Sequence, residues 1–298
     1  MRLASSWRVN DNLKTLNIIG AGRVGRSLAH MWHKQGVFAV QDVMTRSQTS
    51  ADEAVQFIGA GRAVTAMSNM RNADVWMLAV PDGQINKVAT ELSNMPLVSV
   101  FIASGAMVFH CSGALSSAEL QPLRGAGDKG SQIASAHCIL SFSAPASAVT
   151  QFAGTPCALE GDAVATQTLQ TAFEAIGAKC FDIAEKDKIL YHAAAVFATN
   201  FLPVLQVVAT DLWRSSGMPE PMIAPLSASL LQKAVQNMAC QGAAKALTGP
   251  AARGDTELVA LQGTAVSDWN AQAGAAYAAL SQLASQIAKH GTIEITKS

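Results

Sequence analysis

Between Thr15 and Ala184 short β-rich runs alternate with amphipathic helical windows, and after Ala184 the strand signals stop. That change of rhythm confines the chain to a βαβ-type sheet followed by an all-helical segment. The strand runs are TLNIIG (15–20), VFAVQDVMT (37–45), RAVTAM (62–67), VWMLAV (75–80), MVFH (107–110) and QIASAHC (132–138). Helical windows separate them; the one at 23–35 carries Val24, Leu28, Met31 and Trp32 at helical spacing and ends at Gly36. The cadence predicts a doubly wound parallel sheet covered on both faces. TPCALE (155–160) and KCFDIA (179–184) flank a helical window at 163–176 and are expected to extend the sheet. From Glu185 to His290 an Ala-, Leu- and Gln-rich stretch predicts four or five helices, broken at 217–221, Gly242, 248–254 and Gly263.

The first strand runs into Gly20-Ala21-Gly22-Arg23-Val24-Gly25, a GxGxxG pattern that opens the first helix. Strand before and helix after make this a dinucleotide-binding fingerprint. The first glycine allows the tight turn, the second lets backbone approach a pyrophosphate, and the third permits close packing of helix on strand. The helix N-terminus then attracts the anion. A domain of the Rossmann type is therefore expected over 15–184, after a disordered lead-in at 1–14 and before a helical dimerisation and substrate domain at 185–298. The second strand passes through Asp42 and ends Thr45-Arg46-Ser47. Arg46 and Ser47 suit a ribose 2′-phosphate and favour NADP; Asp42 holds the ribose of NAD instead if the strand ends early. Val80 and Pro81, at the tip of the fourth strand, border the same crevice, and Asp82 reads as the N-cap of the following helix.

Charged residues make up 14% of the 298, with 21 basic against 21 acidic. So few charges in an apolar chain exclude disorder, and the zero balance argues against a strongly basic nucleic-acid binder or a polybasic membrane binder. Five scattered cysteines without a CxxC pair suggest reduced intracellular thiols and no metal site. The first residues lack the apolar stretch of a signal peptide, so a cytoplasmic location is expected. Ala193–Ala209 is the most membrane-like run, but Asn200, Pro203 and Gln206 interrupt it and a buried helix is the expectation.

Ligands of open α/β sheets sit outside the carboxyl ends of the strands. The fifth strand ends His110-Cys111-Ser112-Gly113, and the sixth ends His137-Cys138. His137 is the candidate to protonate a substrate oxygen or nitrogen. Ser112, with Gly113 beside it, is placed to orient the substrate or the nicotinamide amide, whereas His110, still inside its strand, reads as structural. In the helical half, uniform α-helical geometry puts His192 and Thr199 nearly in line with Asn200 about 80° away, a polar face among alanines. These side chains either face a wet cleft or pair across a helix bundle. Arg253, in LTGPAARGD, is placed to clamp a substrate carboxylate or to lock its turn through Asp255.

The ordered set IIGAGRVG, AVPD, FHCSGAL, SAHCILSF, YHAAAVFATN and ALTGPAARGD resembles bacterial Rossmann-like proteins with a C-terminal DUF2520 domain. These carry a general NADP- or coenzyme-F420-dependent oxidoreductase label. The resemblance implies a helical domain similar to that of 6-phosphogluconate dehydrogenase, pyrroline-5-carboxylate reductase and ketopantoate reductase relatives, in a homodimer. It differs at His137-Cys138, where the family has His-Pro. The superfamily's lysine four residues before an asparagine is missing when counted from Asn200, since that position is Val196. His137 is then the first choice of acid/base, His192 the second, and Asn200 a substrate-orienting group. The resulting expectation is hydride transfer to or from a small carbonyl, hydroxyacid or imine between the two domains, with NADP, less readily NAD, and F420 as a conceivable co-substrate. The alternative is a non-enzymatic NADP-binding sensor or scaffold dimer.

Overall fold

The computed structural model describes residues 13–95, 105–124 and 130–293. Most of the expected lead-in, residues 1–12, lies outside them. The chain divides into one unit ending at Val196 and a second starting at Phe197. The division falls later than the expected 184/185 because the helix beginning at Lys188 is anchored on the sheet.

In the first unit, strands β1 (Thr15–Ile19), β2 (Ala39–Met44), β3 (Arg62–Val64), β4 (Val75–Leu78), β5 (Met107–His110), β6 (Gln132–Cys138), β7 (Pro156–Gly161) and β8 (Lys179–Asp182) form one sheet. Its order is β3-β2-β1-β4-β5-β6-β7-β8. The chain reverses direction across the sheet between β1 and β4, which creates the crevice that such sheets use for ligands. Every pairing is parallel except β6 with β7. The sequence does not announce that reversal. The helix between these strands, α4 (Pro145–Gln151), is a seven-residue piece, too short for the usual parallel crossover.

Helix α1 (Arg23–Gln35) ends on Gly36 in the left-handed conformation, with the Gly36 N–H donating to His33 and Trp32 carbonyls. Helix α2 (Gln48–Ile58) starts on Ser47, whose side chain accepts the Ser50 amide. Helix α3 (Ile85–Ser93) and helix α5 (Ala163–Glu174) complete the cover. All four residues of β4 are buried, as expected of a central strand covered on both faces. One core layer gathers Leu28, Trp32, Phe109, Leu169 and Phe173; the other gathers Trp76, Leu78, Ile85, Leu92 and Val108. Trp32 is fully buried, edge-on to Phe38, Phe109 and Phe173, and its indole N–H donates to the Ala172 carbonyl at 2.9 Å.

After β8 come α6 (Lys188–Ala195), a π-helical segment Val196–Asn200, and α7 (Phe201–Ser215). The second unit continues with α8 (Glu220–Gln241), α9 (Ala243–Ala246), α10 (Pro250–Arg253), α11 (Thr256–Trp269) and α12 (Ala271–His290). Gly263 does not break a helix as expected. It lies inside α11 against the Tyr277 ring, and the break comes at Asn270, whose side chain caps α12. The Glu185–Ser215 run is long and apolar enough to cross a membrane by length and composition. The buried helix expected there is not buried within the single chain: Phe197, Phe201, Val204 and Val207 are exposed.

Trp32→Ala removes the largest side chain of the first core and strands the Ala172 carbonyl. The expected loss is about 3–5 kcal/mol of unfolding free energy, read as a lower denaturant midpoint with little change of slope.

Candidate active site

The glycine turn fits each demand of the fingerprint. Gly20 has φ +86°, and a Cβ there would lie 2.6 Å from the Ala79 carbonyl oxygen and 2.7 Å from Val80 Cγ1. A Cβ on Gly25 would lie 2.6 Å from the Gly20 oxygen. Gly22 faces open space and begins α1 without a side-chain cap or an acidic residue in the first turn. An uncapped helix start beside a glycine of open approach suits a pyrophosphate. Ala21 is buried while Arg23 stands exposed at the first helical position, and Val24 is half-buried. Val80 thus walls the turn, and Pro81 stands exposed beyond it.

Asp42, inside β2, is not available to a ribose. It is fully buried, with Arg62 Nε at 2.9 Å and Arg71 Nη2 at 2.7 Å, and it also accepts the Arg71 amide. Burial opposes its ionisation, but the hydrogen bonds from Arg71 and Arg62 prevail and hold the carboxyl below its ordinary range. The strand continues past Asp42, which overturns the ribose alternative for that residue. Arg46 and Ser47 are exposed at the strand's end, with the Ser47 hydroxyl already engaged in capping α2.

The loops after β4 and β5 meet through Asp82 and Ser112. Asp82 does not cap its helix; its carboxylate accepts the Ser112 hydroxyl at 2.8 Å. Ser112 is buried, and its oxygen also accepts the Ala114 and Leu115 amides. These three bonds make it the fastening of the loop and leave little capacity for a substrate. His110 is structural, as expected: Nδ1 accepts the Ser112 amide and Nε2–H donates to the Ser116 carbonyl. Burial lowers its pKa.

Gly113 is where the site closes. A Cβ there would lie 2.6 Å from His192 Nδ1, 2.7 Å from His137 Cε1 and 2.8 Å from His137 Nε2. Two imidazoles therefore pack on one α-carbon, with ring centroids 5.6 Å apart. His137 Nδ1 is 2.9 Å from the Tyr191 hydroxyl, so Nε2 is left on the Gly113 side. Burial, then the neighbouring His192 and Lys188, pushes the His137 pKa down to about 4. His192 Nδ1 is buried without a hydrogen-bond partner among the described residues. His192 is only half-buried and Asn200 exposed. The alignment of His192 with Thr199 assumed an uninterrupted α-helix, and the π segment breaks that assumption.

Sequence reasoning missed Lys188 and Tyr191. Lys188 is fully buried; its ammonium donates to Ser135 Oγ at 2.9 Å and to the Ser112 carbonyl at 3.3 Å. Burial lowers its pKa. The available signal was spacing, because Lys188 stands four residues before His192 on α6, as the lysine sought before Asn200 would have done. Asn200 and Arg253 belong to the second unit. The Thr199 hydroxyl donates to the Asn200 side chain, Arg253 is exposed on α10, and Asp255 caps α11.

Two family models match the sequence: a Rossmann-like domain over residues 5–132 and a domain of unknown function, DUF2520, over 155–284. Among solved structures the chain is similar to protein TM1727 from Thermotoga maritima, at 26% identity over 93% of this chain and 99% of that one, TM-score 0.70. It is similar to BF3122 from Bacteroides fragilis, provisionally named an NADP oxidoreductase, at 18% identity over 92% and 98%, TM-score 0.69. It also shares its fold with a pyrroline-5-carboxylate reductase from Coxiella burnetii, at 17% identity over 92% and 99%, TM-score 0.54. No curated protein matches the sequence.

The depressed His137 pKa has a definite sign in stability. The unfolded imidazole binds a proton below its ordinary value of 6.5, whereas the native one does so only near 4. This contribution is therefore complete above pH 6.5 and is lost as pH falls toward 4. His137→Gln is expected to flatten the pH dependence of unfolding in that window. In NMR titration of the His137 ring, Lys188→Met is expected to raise the pKa by removing a nearby cation; an unchanged value would contradict the electrostatic assignment. Gly113→Ala is expected to shift both the His137 and His192 ring resonances.

Proposed function

We propose that the chain, a Rossmann-like protein with a C-terminal DUF2520 domain, is an NADP(H)-dependent oxidoreductase acting on a small carbonyl, hydroxyacid or imine. One observation carries this reading: the glycine turn ends β1 while the imidazole pair collects at the ends of β5 and β6, on the same edge of the same sheet. The backbone around Gly22 would hold the pyrophosphate, and Arg46 with Ser47 the 2′-phosphate. The pinned state of Asp42 supports NADP over NAD. When bound, the nicotinamide supplies or accepts the hydride.

His137 would act as a neutral imidazole. With a pKa of about 4, its protonated form at pH 7 amounts to roughly one part in a thousand. In oxidation Nε2 accepts the proton of a substrate hydroxyl. In reduction Nε2–H polarises the acceptor through a hydrogen bond, and the Tyr191 hydroxyl at Nδ1 assists that tautomer. Lys188 holds the Ser112–Gly113 backbone in position from beneath. The exposed apolar run through α7 supports a second copy of the chain as partner, with the cytoplasm as the setting.

NADPH binding followed by nicotinamide fluorescence is expected for the wild type. Arg46→Asp should weaken NADPH by at least about tenfold while sparing NADH; equal loss of both would refute the 2′-phosphate role. His137→Ala should retain binding and lose turnover across a panel of carbonyls, hydroxyacids and imines. Binding without turnover of any acceptor by the wild type would replace the enzyme reading with a sensor or scaffold. Sedimentation is expected to give a dimer, and a monomer at micromolar concentration would refute the partner assignment.

A further inference from the structure

The cysteines that look scattered in the sequence are aligned by the sheet. In the antiparallel β6–β7 pair Cys138 stands opposite Cys157, and in the parallel β7–β8 pair Cys157 stands opposite Cys180. The Ile139 amide donates to the Pro156 carbonyl, which makes 139/156 the hydrogen-bonded pair and 138/157 the non-hydrogen-bonded one. Non-hydrogen-bonded partners have α-carbons about 4.5 Å apart, at the near end of the range that a disulfide spans. The Cys138 and Cys157 sulfurs are 3.4 Å apart. Both thiols are buried in the core, whereas Cys180, next in the row on the edge strand, is half-exposed.

We propose that Cys138 and Cys157 form a redox-modifiable dithiol that closes to a disulfide, with Cys180 as the thiol through which a small disulfide oxidant enters. Cys180 attacks oxidised glutathione, forming a mixed disulfide and releasing one glutathione thiol. Cys157 attacks the Cys180 sulfur and releases the second glutathione. Cys138 then attacks the Cys157 sulfur, and Cys180 leaves as a thiol. The balance is two protein thiols and one glutathione disulfide converted to one protein disulfide and two glutathione thiols, each thiol proton passing to the departing sulfur. The product ties β6 to β7 one residue beyond His137. Hydrogen bonding between neighbouring sulfurs, then burial, pushes the Cys157 and Cys180 thiols upward, so the exchange is expected to be slow near neutrality and faster as pH rises.

The test uses the folded full chain incubated with oxidised glutathione, then alkylated under denaturing conditions and mapped by mass spectrometry. A loss of about 2 Da located in a Cys138–Cys157 linked peptide is expected. Cys180→Ser and Cys180→Ala should each slow its appearance by about tenfold or more, while Cys111→Ser and Cys240→Ser leave the rate unchanged. Circular dichroism shows whether each variant is folded. Glutathione retained on Cys180 without the internal link, a bond mapped to Cys111 or Cys240, or an unaltered rate in both Cys180 variants would overturn the proposal. None of these readouts depends on nicotinamide binding or turnover.

Discussion

A lysine ammonium withdrawn from water holds the candidate site together. Lys188 meets a serine hydroxyl and a loop carbonyl, and Ser135 passes its own hydroxyl to Glu160, 3.0 Å away. Glu160 also accepts the amide and hydroxyl of Ser117. The buried cation is therefore compensated through a relay rather than by a direct ion pair. Such an arrangement tolerates loss of a member poorly, because a buried charge left unpartnered is costly. It also fixes α6, the β5 loop, β6 and β7 against one another. The positions of His192, Gly113 and His137 follow from that one anchor.

The same elements explain why the site lies where it does. The Asp82–Ser112 bond fastens the loop after β4 to the loop after β5, and Ser116 donates to Glu185 just before α6. Loop geometry at the carboxyl edge is thus set by side chains from neighbouring strands, while the apolar layers beneath supply rigidity. Asp42 illustrates the opposite use of charge. Its two arginines knit β2, β3 and the approach to β4, a structural task that removes the carboxylate from the crevice.

The sheet rhythm, the glycine turn and the structural nature of His110 were legible because each depends on neighbours close in sequence. GxGxxG carries its own conformational demands, and Gly20 and Gly25 meet them through contacts within the turn and with β4. The roles of Asp82 and Ser112 were not legible, since they bond to each other across thirty positions of chain. Lys188 is not reached by counting back four residues from Asn200, which closes a π segment that sequence periodicity does not reveal. The cysteine row required the strand register, and the reversed direction of β7 hid that register. The exposed apolar face of α7 was legible only as a need for cover: composition reports that need, while only tertiary structure reports whether the single chain supplies it.

The electrostatics of the site also bear on which acceptors it suits. Lys188 lies beneath the β5 loop, and the nearby carboxylates of Asp82 and Glu160 are occupied by Ser112, Ser117 and Ser135. His137 is held neutral by burial and by repulsion from His192 and Lys188, which together outweigh the opposite pull of Asp82. An oxygen gaining negative charge during hydride transfer would meet hydrogen-bond donors and a fixed cation. A carboxylate hydrogen-bonded to serine hydroxyls still carries its charge, and Glu160 and Asp82 both favour the charged form of Lys188. The cation is thereby compensated, so within the proposed oxidoreductase chemistry an acceptor would meet the hydrogen bond of a neutral His137 rather than a net charge.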